Sequence, residues 1–202
     1  MWVLIRRAYF FFRPYFFLRG KYYLYECIPK ETSYGDLNPR IRNLDCYIVS
    51  SNPEADNLAA QGFDFRPRVV NARKNLDKGA VALCIFVDRK IAHMTWIAIT
   101  QPARSSCDRL SYSVFFHGGE ACMGGVFTLP EYRRRGLMKY GCYRTLQWLR
   151  DKGVTKVRFA VSIRNIFAQR AFDHFPTYIY GRARFLQFLW LRFYKETINA
   201  QP

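Results

Sequence analysis

The stretch AVALCIFVDRKIAHMTWIAI, residues 80–99, consists of two largely apolar runs on either side of Asp88, Arg89 and Lys90. Strand-forming side chains prevail on both sides of these residues, as is typical of two β-strands joined by a tight turn. The stretch therefore predicts a β-hairpin, although it lacks the Asn-Gly pair that favours such turns. Half of the 202 residues are hydrophobic, so the chain can surround this hairpin with a substantial core in one domain.

Patterns on either side of the hairpin predict the order of the remaining elements. A strand at 21–28 and a partly looped stretch at 29–53 precede two helices, at 53–63 and 67–79. After the hairpin we expect a strand at 120–129, a helix over 138–153, a strand at 155–162, a helix at 165–175 and two aromatic strands within 177–194. This order is that of an α+β fold.

The charge balance indicates an anionic partner. The chain has 32 Lys and Arg against 15 Asp and Glu, a formal net charge of +17, which attracts nucleic acid, anionic lipid or phosphorylated cofactors alike. The six cysteines form no CxxC pair and no His pair has a metal-ligand spacing, so we expect free thiols and no metal site. Free thiols fit a reducing compartment, and we expect a cytoplasmic protein.

The first twenty residues, MWVLIRRAYFFFRPYFFLRG, form a separate aromatic and basic segment before a domain at 21–202. Arginines interrupt the segment and Pro14 breaks it, so it resembles neither a signal peptide nor a membrane span. One interpretation is a segment packed against the domain. The other is a segment at an anionic membrane surface, where aromatic rings and long basic side chains are both well solvated.

The sequence TLPEYRRRGLM, residues 128–138, places three arginines and a glycine between a predicted strand and a predicted helix. The first turn of a helix leaves backbone N–H groups unpaired at the positive end of the helix dipole, which favours a bound anion. Gly136 permits close approach of a phosphate, and Arg133, Arg134 and Arg135 add positive charge. The chain contains neither GxxxxGK[ST] nor GxGxxG, which excludes the two common nucleotide-binding loops. The alternative is a solvated basic start of a helix.

The stretch VFTLPEYRRRGLM resembles the acyl-CoA-binding motif of the GNAT N-acetyltransferases, Q/R-x-x-G-x-G/A after a strand and often a proline. Arg133, Gly136 and Pro130 match it, and Asn165 and Ala168 match a second, weaker pattern in the helix after the next strand. The order of elements matches over about residues 21–194. The resemblance implies a GNAT-like fold with a mixed, mostly antiparallel sheet flanked by helices.

The resemblance also implies acetyl-CoA as the cofactor. Its pyrophosphate would bind the backbone from Arg134 to Met138, and its arm would pair like an added strand with residues 126–128. The cofactor-binding residues predicted in this way are Val126, Phe127, Thr128, Arg133, Arg134, Arg135, Gly136, Leu137, Met138 and Asn165.

Three positions depart from the pattern of the family. Met138 replaces the usual Gly or Ala, Phe172 stands where many members have a tyrosine that protonates the leaving thiolate, and Cys122 stands where some have a catalytic glutamate. Other residues would then have to move the proton. The candidates are Glu120, on the strand that carries Cys122, His93 on the neighbouring strand, and Tyr178 near the acceptor side. Strand alternation places the even-numbered residues from Glu120 to Thr128 on one face.

The resulting prediction is an acyl-CoA-dependent N-acetyltransferase in which an acceptor amine attacks the thioester directly. The positive charge and the aromatic segment favour an amino sugar or another amine on an anionic or lipid-linked carrier. The alternative is a non-catalytic module of the same fold that binds nucleic acid or an anionic membrane through its basic surface. Nucleic acid is the less favoured partner, peripheral membrane association stays open, and the sequence does not indicate an oligomeric state.

Overall fold

The computed structural model describes residues 17–29, 37 and 39–199. These residues form eight strands: β1 (Phe17–Cys27), β2 (Leu44–Val49), β3 (Val81–Val87), β4 (Lys90–Ala98), β5 (Glu120–Thr128), β6 (Lys156–Ser162), β7 (Thr177–Phe188) and β8 (Leu191–Ile198). The α-helices are α1 (Asn52–Ala60), α2 (Ala72–Asp77), α3 (Leu137–Asp151) and α4 (Ile166–Phe172).

All eight strands lie in one sheet with the order β2-β3-β4-β5-β6-β1-β7-β8. Every neighbouring pair is antiparallel except β5 and β6, which run parallel. The predicted α+β fold with a mixed, mostly antiparallel sheet is therefore confirmed.

Strand β1 lies between β6 and β7 and begins earlier than predicted, at Phe17, which pairs with Phe188. Four residues of the predicted segment 1–20 therefore belong to the sheet. The rest of that segment, residues 1–16, lies outside the described residues, so the predictions made for it stay predictions.

The predicted hairpin at 80–99 is confirmed as β3 and β4. Its turn residues Asp88 and Arg89 have φ values of 48° and 63°, which is the left-handed pair that a two-residue turn needs to match the twist of the strands. Asp88 tolerates this conformation better than most residues, and its carboxylate accepts a hydrogen bond of 2.9 Å from the Asn43 side chain. This bond to a neighbouring loop helps to replace the missing Asn-Gly pair.

Strand β2 was not predicted. It lies within the stretch 29–53 and pairs along its whole length with β3, from Leu44 opposite Val87 to Val49 opposite Ala82. It is short, is at the edge of the sheet and is mostly half-buried, so its hydrophobic pattern is weak.

Two helices cover each face of the sheet. Helices α3 and α4 pack Leu146, Leu149 and Phe172 onto one face, and α1 and α2 pack Ala55 and Leu76 onto the other. Helix α3 agrees with its prediction and ends before Gly153, whose N–H donates to the Arg150 carbonyl at 2.8 Å.

Three predicted helices are shorter than expected. Helix α1 ends at Ala60, three residues before its predicted end. Residues 67–79 divide into a single 3₁₀ turn at Arg66–Arg68 and helix α2, because Asn71 between them has a left-handed φ of 59°. Helix α4 ends at Phe172, three residues before the predicted end. Among the described residues, no helix has the length and apolarity needed to cross a bilayer.

Candidate coenzyme-binding cleft

Strands β5 and β6 diverge soon after they meet. They pair only from Glu120 opposite Lys156 to Cys122 opposite Arg158. The other edge of β6 stays paired with β1 as far as Ser162. A cleft of about 780 Å³ opens between them, within the size range of small-molecule sites. The backbone of β5 beyond Cys122 therefore presents its β6 side to the cleft rather than to another strand.

A bulge in β5 lies beside this cleft. The pairing with β4 shifts from Trp96 opposite Gly124 to Met94 opposite Phe127, which leaves one extra residue in β5. Gly125 has a φ of +57°, and a Cβ at Gly124 would lie 2.4 Å from the carbonyl oxygen of Cys107. The adjacent pair Gly124-Gly125 within a strand pattern predicts such a bulge or a close approach by a ligand, and the bulge is confirmed.

The bulge reverses the alternation of side chains along β5. Cys122 packs in the core beneath α1 and α2, whereas the Thr128 hydroxyl lies 2.8 Å from Nδ1 of His93 on the α3 side. The prediction that the even-numbered residues from Glu120 to Thr128 share one face is therefore wrong. The extra residue at the bulge moves Thr128 to the opposite face.

The arginine-rich turn forms the outer end of the cleft. Arg134 and Gly136 have φ values of 62° and 85°, so the backbone curls just before α3 begins at Leu137. Such a curl turns successive N–H groups to one side, next to the unpaired N–H groups of the first helical turn. Arg133, Arg134 and Lys139 also line this end and make it electropositive.

All the predicted cofactor-binding residues except Arg135 line the cleft. Arg135 instead fixes the turn from behind, because its carbonyl accepts a 3.1 Å hydrogen bond from the Arg40 N–H. The cleft is lined by Met123, Gly124, Gly125, Val126, Phe127, Thr128, Tyr132, Arg133, Arg134, Gly136, Leu137, Met138, Lys139, Phe159, Ala160, Val161, Ser162, Asn165, Phe167, Ala168, Ala171 and Phe172.

Several lining residues were missed by the sequence analysis. Lys139 could have been found, since it belongs to the helical turn that follows Gly136. Tyr132 also lies next to the predicted anion site. Ser162 and Phe167 join the site only because β6 diverges from β5, and no local pattern indicates that divergence.

The β6 side of the cleft is capped by the start of α4. The Asn165 side-chain oxygen accepts a hydrogen bond of 3.1 Å from the Ala168 N–H, as a helix N-cap does. This bond leaves the amide nitrogen of Asn165 available at the cleft wall. The inner end is apolar, because the rings of Phe159 and Phe172 lie 4.3 Å apart between centroids beside Met123.

His93 is fully buried under α3 and lies outside the lining of the cleft. Burial lowers its pKa to about 4, so the imidazole is neutral at physiological pH. One ring nitrogen contacts the Thr128 hydroxyl at 2.8 Å and the other lies 3.4 Å from the Thr95 hydroxyl. His93 therefore holds the side chain of Thr128, a lining residue, from within the core.

Glu120 belongs to a buried group of ion pairs at the closed end of the cleft. Its carboxylate lies 3.0 Å from the guanidinium of Arg158 and accepts a 2.8 Å hydrogen bond from the Phe115 N–H. Glu26 joins the same group through Lys156, with 2.9 Å between the nitrogen and the carboxylate oxygen.

Tyr178 also joins this group, because its hydroxyl donates to the Glu26 carboxylate, and 40% of the residue surface is exposed. Like Glu120 and His93, it lies outside the lining of the cleft. The catalytic roles of all three stay predictions. In the described part of the chain, no three His, Cys, Asp or Glu side chains are grouped as a metal site requires.

This geometry defines an α+β protein with a ligand cleft between two diverging parallel strands and a helix N-terminus at its mouth. The family model for the acetyltransferase (GNAT) family matches residues 70–175, which is more than half of the chain. The chain belongs to this family, and the predicted resemblance is confirmed. Acyl-CoA-dependent N-acetyl transfer is the general activity of the family.

Solved structures of low sequence identity share the fold. One is a GCN5-related glucosamine N-acetyltransferase region of a fungal multi-domain GH3 β-N-acetylglucosaminidase, at 15% identity and a TM-score of 0.56, covering 89% of this chain and 22% of that one. A GNAT-family protein from Novosphingobium aromaticivorans is 14% identical at a TM-score of 0.53, covering 82% of this chain and 62% of that one. A GCN5-related N-acetyltransferase-like protein from Streptococcus suis is 12% identical at a TM-score of 0.52, covering 90% of this chain and 67% of that one.

The chain thus spans less than two thirds of the fungal and Novosphingobium chains. A comparison with curated proteins gave no match.

Proposed function

We propose that this protein is an N-acetyltransferase that uses acetyl-CoA and transfers the acetyl group directly to an amine. The observation that carries the proposal is the cleft between β5 and β6, with the start of α3 and its basic side chains at the outer end. An elongated ligand with an anionic end fits this combination of shape and charge.

The lining residues suit each part of coenzyme A. The backbone N–H groups from Arg134 to Met138 and the side chains of Arg133 and Lys139 would hold the pyrophosphate. The open edge of β5 at 126–128 would pair with the amides of the pantetheine arm, as an added strand does. Acetyl-CoA supplies an activated thioester, and the chain positions it beside the amine.

The lack of a proton acceptor among the described residues of the cleft constrains which class of amine can be the acceptor. The described lining contains no Asp, Glu or His, so a proton leaving the amine would have to pass through water toward a residue such as Glu120. This favours an amine that is partly neutral at physiological pH. The amine of an amino sugar is of this kind, because the neighbouring hydroxyl groups withdraw electron density.

We therefore propose an amino sugar as the acceptor class, carried on an anionic or lipid-linked molecule. The fungal structural neighbour, whose region is described as a glucosamine N-acetyltransferase, supports this choice of acceptor. The net charge of +17 supports the anionic carrier.

A non-catalytic coenzyme-binding module is the second candidate. Phe172 favours it, because a buried phenyl ring at the inner end cannot protonate a leaving thiolate. Under this candidate the cleft binds coenzyme A, and the basic surface binds its own partner without any transfer.

One experiment separates the two candidates. Acetyl-CoA should raise the melting temperature of the purified protein, and coenzyme A thiol should be released when glucosamine or a glucosamine-bearing carrier is added. Stabilisation with no thiol release on any amine of the panel would favour the non-catalytic module. No stabilisation by acetyl-CoA or by coenzyme A would refute both.

A further inference from the structure

The β7-β8 hairpin at the edge of the sheet carries large apolar side chains in solvent. Trp190 in its turn is 79% exposed, and Phe188, Leu191 and Phe193 are about half exposed, at 49%, 48% and 57%. Phe188 and Leu191 pair directly beside the turn, so these side chains form one continuous apolar end. A group of exposed apolar side chains of this size is typical of a surface that meets a partner.

A row of cations crosses three strands behind this apolar end. Lys21 of β1 pairs with Arg184 of β7, which pairs with Lys195 of β8, and all three side chains are exposed on one face. Like charges that lie directly opposite one another repel, so this row is unfavourable in the isolated chain. The nearest acid in sequence, Glu196, points to the other face, where it accepts a hydrogen bond from the Tyr194 hydroxyl. An anionic partner would relieve the repulsion.

A mixed row separates the apolar end from the cations. Arg19 is paired with Leu186, and Leu186 with Phe193, on the same face as Lys21. Along the strands, the mixed row lies two residues from the pair Phe188 and Leu191, and the cation row lies two residues further. At ~3.4 Å per residue, the cation row is therefore about 14 Å from the apolar end. The order from the end inward is apolar, mixed and cationic.

This order matches the depth profile of an anionic bilayer. Apolar groups of peripheral proteins enter the membrane by about 5 to 10 Å, at the boundary of headgroups and acyl chains. With Trp190 and Leu191 at that depth, the mixed row lies among the headgroups and the cations lie just above the lipid phosphates. A single-stranded nucleic acid would instead favour aromatic rings placed between the cations, where the bases stack.

The chain that precedes β1 supports the same partner. Strand β1 begins at Phe17, which pairs with Phe188 at the apolar end of the hairpin. Residues 1–16 comprise seven aromatic side chains together with Arg6, Arg7 and Arg13 in the sequence MWVLIRRAYFFFRPYF. Their composition continues the mixture of apolar and cationic groups on the hairpin.

We propose that the outer hairpin surface, comprising Phe188, Trp190, Leu191, Phe193 and the row Lys21, Arg184 and Lys195, docks on an anionic lipid bilayer. The proposal does not depend on catalysis, because none of these residues lines the cleft. It places the chain beside lipid-linked or lipid-adjacent molecules.

Co-sedimentation of the full chain with vesicles tests the proposal. We expect binding to vesicles of phosphatidylcholine and phosphatidylserine that weakens as salt is raised, and little binding to phosphatidylcholine alone. Two variants address the surface: Trp190→Ser with Leu191→Ser, and Arg184→Glu with Lys195→Glu. The charge variant should bind at least about thirty-fold more weakly.

Arg68→Glu with Lys74→Glu is the matched control, because both cations are exposed and give the same change in net charge. Lys74 lies in α2 and Arg68 in the turn before it, far from the hairpin. Circular dichroism and thermal unfolding verify that each variant is folded. Equal losses in the charge variant and the control would overturn the proposal, as would absence of vesicle binding. Tighter, hairpin-dependent binding to single-stranded RNA than to vesicles would overturn it in favour of a nucleic-acid surface.

Discussion

Gly141 of α3 lies directly over the buried imidazole of His93, with no space between them for a side chain. A Cβ at Gly141 would lie 2.5 Å from Nε2 and 2.8 Å from Cδ2 of the ring. The ring has little room to move away from Gly141, since hydroxyl groups of Thr128 and Thr95 lie at its two nitrogens. The close approach of helix and sheet here depends on the glycine.

We predict that Gly141→Ala destabilises the protein even though alanine favours helices by about 1 kcal/mol relative to glycine. Overpacking of a tight core costs about 1 to 3 kcal/mol, which exceeds that gain. Urea unfolding followed by circular dichroism gives the free-energy difference. A double-mutant cycle supplies the control: in a His93→Ala background the ring is absent, and Gly141→Ala should then be neutral or stabilising. A loss of the same size in both backgrounds would contradict the steric explanation.

The stability of the protein should also depend on His93 at mildly acidic pH. Burial lowers the pKa of His93 to about 4, whereas the unfolded chain binds this proton near the usual value of about 6.5. Between these values the unfolded state holds more protons, so stability is complete above about pH 6.5 and is lost as the pH falls toward 4. The shift corresponds to about 3 kcal/mol at roughly 1.4 kcal/mol per pKa unit.

His93→Gln should therefore be destabilising at pH 7 but should flatten the loss of stability between pH 6.5 and 4. Unfolding free energies at a series of pH values measure this slope. His174→Gln is the control, because it removes an exposed histidine and leaves the buried imidazole of His93 in place. An unaltered slope in His93→Gln would mean that other groups cause the acid sensitivity.

Local chemistry made the arginine turn and the bulge predictable. Two adjacent glycines within a strand pattern indicate a bulge, and the structure shows that a Cβ at Gly124 or Gly125 would collide with Cys107 or Trp96. Gly136 likewise marks the start of α3 through its positive φ. The residues closest to these glycines in sequence were predicted well for that reason.

Relationships between distant segments could not be predicted. Strand β1 joins β6 and β7 through pairings such as Tyr25 with Phe159, which no local pattern specifies. This pairing brings Glu26 to the ion pairs of Glu120 and gives Glu120 a structural role that the sequence does not indicate. The lining residue Ser162 was missed for the same reason.

Coenzyme A binding should depend on Gly136. Its φ of +85° disfavours other residues, and a carboxylate at this position would add a negative charge next to the backbone that would hold the pyrophosphate at the start of α3. We expect Gly136→Asp to reduce coenzyme A affinity at least 100-fold in titration calorimetry, because electrostatic repulsion adds to the loss of backbone geometry.

Gly153→Asp is a matched control at the other end of the same helix. Gly153 also has a positive φ, of 74°, and no atom lies within 4 Å of a Cβ placed there, so the backbone strain and the charge are comparable. This variant should lose similar stability and keep its affinity for coenzyme A. Affinity that survives in Gly136→Asp would show that the phosphates bind elsewhere.

The last prediction concerns the residue that takes the proton from the amine. Glu120 is a carboxylate near the inner end of the cleft, but its contacts with Arg158 and Phe115 also make it part of the fold. If Glu120 acts as a base through water, Glu120→Gln should lower kcat about 100-fold or more. Cys122→Ser should keep most of the activity, because direct transfer forms no acyl-cysteine.

The matched control is Glu26→Gln, because Glu26 is buried in the same ion-pair group but lies on β1, two strands from β5. Removing one partner of a buried ion pair costs about 3 to 5 kcal/mol, so both glutamine variants should melt at lower temperatures. Only Glu120→Gln should also lower kcat, measured below the melting temperature of each variant. Equal kcat values for the two variants would assign Glu120 to the fold alone. An inactive Cys122→Ser, together with acetylated Cys122 in mass spectra of the wild type, would replace direct transfer by a covalent route, since the thiol would then carry the acetyl group before the amine receives it.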